Sequence, residues 1–134
     1  MARVYLDYNA TTPLRDEARA AMRAGMDHFG NPSSVHAEGR AAKSIIEKAR
    51  AQVSSALGAD GADIVFTSSA TESAALACAG RTLASARIEH DAVLSWTAGD
   101  LAVDALGAVE VLEPKQSALQ MANSETGVMQ RLPD

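Results

Sequence analysis

A strand that runs straight into a helix through a turn of small hydroxyl residues leaves a chain few folds to choose from. Residues 64–79, IVFTSSATESAALACA, read as such a unit. Ile64-Val65-Phe66 is β-branched and aromatic, Thr67 to Thr71 forms the turn, and an alanine-rich helical run opens at Glu72. The first N–H groups of a helix have no intrahelical partner and the macrodipole leaves partial positive charge there, so the turn suits a phosphate. Ser68, Ser69 and Thr71 add hydroxyl donors. The same residues serve a plain helix cap, with Thr71 or Ser69 as N-cap. The rest of the chain decides between the two.

Upstream, Val4-Tyr5-Leu6 is a short extended segment, and Asp7 to Pro13 is a polar loop ended by a proline able to open a helix. Leu14, Ala18, Ala21, Met22, Met26 and Phe29 recur every three or four residues, which predicts an amphipathic helix. Gly30-Asn31-Pro32 breaks it, and Ser33 and Ser34 offer caps for the next. That second helix carries the stripe Ala42, Ile45, Ile46, Ala49, Val53, Ala56 and Leu57, and Gly58 is placed to end it in a left-handed conformation. Lys43, Glu47 and Arg50 fall on its other face, where solvated charges are expected.

Downstream, the helix after the turn should stop near Gly80. Residues 82–85, 101–103, 109–112 and 117–122 are short strand candidates, 91–96 begins a further helix broken by Gly99, and 123–127 is a polar turn. Alternating strands and helices predict an α/β layer with a mostly parallel sheet, its last element lacking a partner because no helix follows Leu132-Pro133-Asp134. His90 follows one of these strands, and open α/β sheets bind ligands at the carboxyl ends of their strands.

With 134 residues, 47% of them hydrophobic, the chain can bury one modest core. A net charge of -5, with no run of lysine or arginine, supplies no field for nucleic acid. No apolar stretch reads as a signal peptide or a membrane span, so the cytoplasm is the expected location. A single cysteine makes no internal disulfide and no cysteine-rich zinc site, and His28, His36 and His90 lack metal-ligand spacing, so no metal is expected.

Five motifs occur in one order: YLDYNATTP at 5–13, FGNPSSVH at 29–36, FTSSATES at 66–73, EHDAVL at 89–94 and NSETGV at 123–128. Together they resemble the amino-terminal part of the cysteine desulfurases, the NifS/IscS-like branch of the class V aminotransferase family. The resemblance spans essentially the whole chain. It implies an incomplete α/β fragment of the three-layer fold type I of pyridoxal 5'-phosphate enzymes, with residues 1–35 contributing to the small domain and active-site loop and 36–134 opening the large cofactor-binding domain. It implies a homodimeric enzyme that releases sulfur from L-cysteine to leave L-alanine, handing the sulfur to an acceptor protein, with iron-sulfur cluster assembly as one use.

By the same resemblance, Ala70 and Thr71 hold the cofactor phosphate, and His90 stacks on the pyridine ring and takes part in proton transfer as the catalytic residue. Ser124 stands where the family more often has an asparagine bonded to the cofactor's phenolic oxygen. Asn9, Ala10, Thr11, Asn31 and His36 match loops near the substrate, although a turn asparagine or a capping neighbour accounts for them as well. Ser69 replaces a commoner glycine, and would be strained if the position needs a positive φ. None of Lys43, Lys48 and Lys115 matches the family's Schiff-base lysine, and Cys78, among alanines in a helix, does not match its sulfur-accepting cysteine. The 134 residues alone are therefore not expected to catalyse desulfuration. A selenocysteine lyase, another aminotransferase, or a non-catalytic interaction module carries the same motifs.

Overall fold

The computed structural model describes residues 3–59 and 61–131; Leu132-Pro133-Asp134, where the last element was expected to lack a partner, lie outside them. Two compact units, residues 1–65 and 66–134, make up the chain.

In the first unit the chain from Val4 to Leu6, read as an extended segment, has no regular secondary structure and joins no β-bridge among the described residues. Pro13 does not open the first helix. α1 (Asp16–Met26) starts after Arg15, with Asp16 and Glu17 in its first turn and Arg23 in its last, charges that complement the macrodipole at both ends. Phe29 lies beyond it, because the N–H groups of Asp27 and His28 bond back to the carbonyls of Ala24 and Gly25 and close the helix three residues early.

α2 (Ala37–Ala56) has His36 at its N-cap, with no side-chain cap, so Ser33 and Ser34 are not the caps the sequence suggested. Their backbone N–H groups instead bond to Asn31, Ser33 to its Oδ1 and Ser34 to its carbonyl, both at 2.9 Å. This turn folds over the start of α2 at Gly39, which is buried. Gly58 closes the helix at φ +61°, as expected. Arg50 is not simply solvated: it pairs with Glu47 at 3.3 Å and donates to the carbonyl of Ile64. An arginine on the outer face of α2 thereby holds the segment that leads into the turn.

In the second unit, α3 (Ala70–Cys78) packs against α4 (Asp91–Leu94). Residues 84–86 form the centre of a minimal sheet, parallel to Ser117 on one side and to Leu101 on the other. The two outer contacts, Val103 with Val109 and Ala122 with Met129, are antiparallel hairpins. Asp104 shapes the first of these, its Oδ1 accepting the N–H groups of Leu106 and Ala108. Ile64-Val65-Phe66, predicted as a strand, belongs to no β-bridge among the described residues, and Val65 is 70% exposed.

What is buried here is largely polar. Ser85 shares a 2.7 Å hydrogen bond with Thr97 and accepts from the Gly99 N–H, and Gln130 spans from the Val109 N–H to the Gly107 carbonyl. Large apolar side chains such as Leu6, Phe29 and Leu106 lie in solvent. No helix among the described residues is long and apolar enough to cross a membrane.

Candidate functional site

The turn between residues 67 and 71 is built from reciprocal caps. Ser69 is the N-cap of α3, its Oγ accepting the Glu72 N–H at 3.3 Å, and Glu72 reaches back so that its Oε2 accepts the Ser68 N–H at 2.6 Å and the Ser68 hydroxyl at 2.7 Å. Thr67 Oγ1 donates to the Ser69 carbonyl and shares a hydrogen bond with Ser73 Oγ. Of the hydroxyls first read as anion donors, Ser68 is committed as a donor to Glu72 within the turn, whereas Ser69 serves it as an acceptor. The helix opens two residues earlier than the composition suggested, because the cap sits at Ser69. Among the described residues, the N–H groups of Ala70 and Thr71, at the first two helical positions, and the Thr71 hydroxyl have no hydrogen-bond partner. Serine at 69 carries no strain: its φ of -168° is extended backbone.

His90 precedes α4 and caps it through its side chain, Nδ1 accepting the Ala92 N–H at 3.1 Å. The neutral ring then carries its proton on Nε2. Ser124 lies in the turn held by Asn123, whose Oδ1 accepts the N–H groups of Glu125 and Thr126 and the Thr126 hydroxyl. A cavity of about 270 Å³ is lined by Ile88, Glu89, His90, Asp91, Ser124 and Glu125, so the histidine and the serine singled out in the sequence share one wall. A second, of about 420 Å³, has Ser73, Ala77 and Cys78 of α3 on one side and His90, Glu89 and Gln120 on the other. Cys78 is 6% exposed, the setting of a small apolar residue.

The remaining candidates belong to the first unit. Asn9 and Ala10 lie in a turn closed by the Ala10 N–H on Asp7 Oδ1, and the Thr11 carbonyl accepts the Tyr5 hydroxyl. Asn31 is engaged in its own turn, and His36 is the N-cap position of α2.

Two carboxylates went unremarked in the sequence. Glu72 had a local signal, being three residues after Ser69 in a capping-box spacing; Glu89, 8% exposed, had none. Bonds from the Ser68 hydroxyl and N–H hold the Glu72 carboxyl below its ordinary value near 4.5. Its contribution to stability is present above that value and lost as pH falls through the lowered one. Burial pushes Glu89 up, against the opposing Gln120 N–H bond. Its contribution is therefore full below the ordinary value and lost as pH rises through the raised one. Thermal melts across pH 3–8 should show opposite changes: Glu72→Gln flattens the loss of stability on the acid side, and Glu89→Gln removes a loss on the neutral side.

The donor set fits a phosphorylated aromatic cofactor. Two free N–H groups and a hydroxyl at a helix start suit the phosphate, and His90 and Ser124 supply a flat ring and a hydroxyl within the same unit. Among the described residues no group of three histidine, cysteine, aspartate or glutamate side chains is placed to hold a metal.

Residues 4–132 match the aminotransferase class-V family. A cysteine desulfurase IscS of Dictyoglomus turgidum is 45% identical over 101 residues, covering 68% of this chain and 26% of that protein. The selenocysteine lyase of Rattus norvegicus is 50% identical over 72 residues, 53% of this chain and 16% of that one. A solved structure of a NifS-like protein superposes with a TM-score of 0.80 at 32% identity, covering 96% of this chain and 43% of its own. This chain spans less than half the length of each.

Proposed function

Because the chain belongs to the class-V aminotransferase family, we propose that it supplies the phosphate-binding turn and the ring-facing wall of a pyridoxal 5'-phosphate-dependent cysteine desulfurase. The fold is a portion of fold type I, as in the NifS-like structure. The observation that carries the reading is the pair of unpartnered N–H groups at Ala70 and Thr71, in the same compact unit as the cavity lined by His90 and Ser124.

When bound, the cofactor supplies an electron sink for charge developing on the substrate. Ala70 and Thr71 bind its phosphate through their N–H groups and the Thr71 hydroxyl, where the α3 dipole adds to the attraction. Ser124 donates a hydrogen bond from the cavity wall, with a shorter reach than asparagine. His90, held by its Nδ1 cap, faces the ring and presents its proton-bearing Nε2 as a donor. Asn9, Ala10, Thr11, Asn31 and His36 are assigned to the substrate side. Residues 1–35 are assigned to the small domain and 36–134 to the cofactor domain.

On this reading L-cysteine loses its sulfur by cleavage of the C–S bond, leaving L-alanine, and the sulfur passes to a thiol and then to an acceptor protein. Residues outside 1–134 provide the cofactor-anchoring lysine and that thiol, in a cytoplasmic homodimer. The resemblance to a selenocysteine lyase favours one second reading, with selenocysteine as substrate.

The test is a titration of the protein with pyridoxal 5'-phosphate followed by visible absorbance, then addition of L-cysteine or L-selenocysteine. Saturable binding by these residues is the expected result, with alanine formed from cysteine only where the cofactor-anchoring lysine and the thiol are also supplied. Turnover of selenocysteine alone selects the second reading, and no binding at millimolar cofactor overturns both in favour of a non-catalytic module.

A further inference from the structure

The segments that carry His90 and Ser124 run side by side only briefly. Their ladder consists of the Ala84 N–H on the Gln116 carbonyl and the Ala118 N–H on the Ala84 carbonyl, both 2.9 Å. In a parallel ladder the next donor, the Gln120 N–H, would meet the Ala86 carbonyl. That carbonyl is taken by the Glu89 N–H in a tight turn. The Gln120 N–H is met instead by the Glu89 side chain, whose Oε1 accepts it at 2.7 Å.

Around this bond the two segments are tied twice more through the Ile88 carbonyl. It accepts from Gln120 Nε2 and, at 3.0 Å, from Asn123 Nδ2. Asn123 is the residue whose Oδ1 shapes the turn carrying Ser124, and Glu89 is the residue before His90. Glu89 also lines both cavities that His90 lines. A carboxylate buried to this degree is costly unless it is hydrogen-bonded, and neither ion pair seen among the described residues involves it. Its reach across the end of the ladder gives a reason for its presence.

We propose that Glu89 is a positioning residue, which replaces the missing ladder bond and sets the separation of His90 from Ser124, and so the width of the wall that receives the cofactor ring. The proposal rests on the cofactor reading above and adds to it which side chain holds the two ring contacts in register.

Reach and charge are separated by two variants. Glu89→Gln keeps an acceptor oxygen at the same distance; Glu89→Asp keeps the charge but falls short by one methylene, about 1.5 Å. Pyridoxal 5'-phosphate is the probe, read by its dissociation constant and by the visible circular dichroism of the bound form. The ¹⁵N shifts of the His90 ring are read in protein without cofactor. Glu89→Gln is expected to stay within about twofold of the wild type with an unchanged dichroic band and unchanged ring shifts. Glu89→Asp should weaken binding roughly tenfold, alter the band and move the ring shifts.

Wild-type behaviour in Glu89→Asp overturns the proposal, and so does impairment of Glu89→Gln, which would mean that charge acts rather than reach. If Glu89→Asp does not fold, Gln120→Ala loosens the same tie from the opposite segment, and wild-type binding by that variant overturns the proposal equally. If the wild-type protein binds no cofactor the functional reading falls, and the His90 ring shifts alone decide the role of Glu89.

Discussion

Gly39→Ala is expected to destabilise the first unit by about 3 kcal/mol and to loosen the whole segment from Gly30 to Arg40. A Cβ at position 39 would stand 2.1 Å from Ser34 Oγ, 2.4 Å from the Asn31 carbonyl oxygen and 2.9 Å from the Ser34 carbonyl oxygen. The hydroxyl can rotate away. The two carbonyls are backbone, and the Asn31 carbonyl already accepts the Ser34 N–H that closes the turn. Making room therefore means opening the turn that covers the start of α2. Gly30 lies on the same contact, at φ +149° with a Cβ position 2.5 Å from the Glu38 carbonyl oxygen.

Chemical denaturation followed by far-UV circular dichroism measures the effect. Gly25→Ala is the control, since a Cβ there meets nothing within 4 Å, and at the penultimate position of α1 it should stabilise by no more than about 0.5 kcal/mol. Equal stability of Gly39→Ala and the wild type would show that the loop does not rest on α2 as described.

The second large effect is on cofactor affinity. Ala70→Pro removes one of the two free N–H groups at the start of α3 without opposing the helix, because proline is favoured at the first helical position. The preceding residue must be extended, and Ser69 already is, at φ -168° and ψ 167°. Thr71→Val removes the hydroxyl with little change of shape. Each bond to a charged phosphate is worth about 1.5–3 kcal/mol, so each variant should weaken pyridoxal 5'-phosphate binding roughly 10- to 100-fold, with α3 intact by circular dichroism. A plain helix cap predicts the opposite outcome for Ala70→Pro, unchanged or improved stability with no loss of binding. The variant therefore separates the two uses of this turn that the sequence left open. Ser68 is not an equivalent target, because Glu72 already occupies both its donors.

The outcome at each position follows from how far its partners lie along the chain. The apolar stripe of α2, the left-handed Gly58 and the Ser69 to Glu72 capping spacing were legible, because those interactions join residues three or four apart and any chain with that spacing makes them locally. The five ordered motifs were legible for the same reason, as strings of neighbours, and they placed the family. Phe29 was assigned to α1 by its spacing alone, while the helix had already been closed by backbone bonds that leave no mark in hydrophobic periodicity.

Ile64-Val65-Phe66 has the composition of a strand, but a strand is completed only by a neighbouring strand, and the segment joins no β-bridge among the described residues. Arg50 looked like a solvated charge until Ile64, fourteen residues on, brought it a carbonyl. Glu89 finds its partner 31 residues away and Gln130 meets Val109 across 21, distances at which spacing carries no information. The sequence by itself determined the helical segments, the Ser69 cap and the family. Tertiary structure alone decided which carboxylate was buried and that His90 and Ser124 share a wall, because burial and cross-strand hydrogen bonds arise only once distant segments have been brought together.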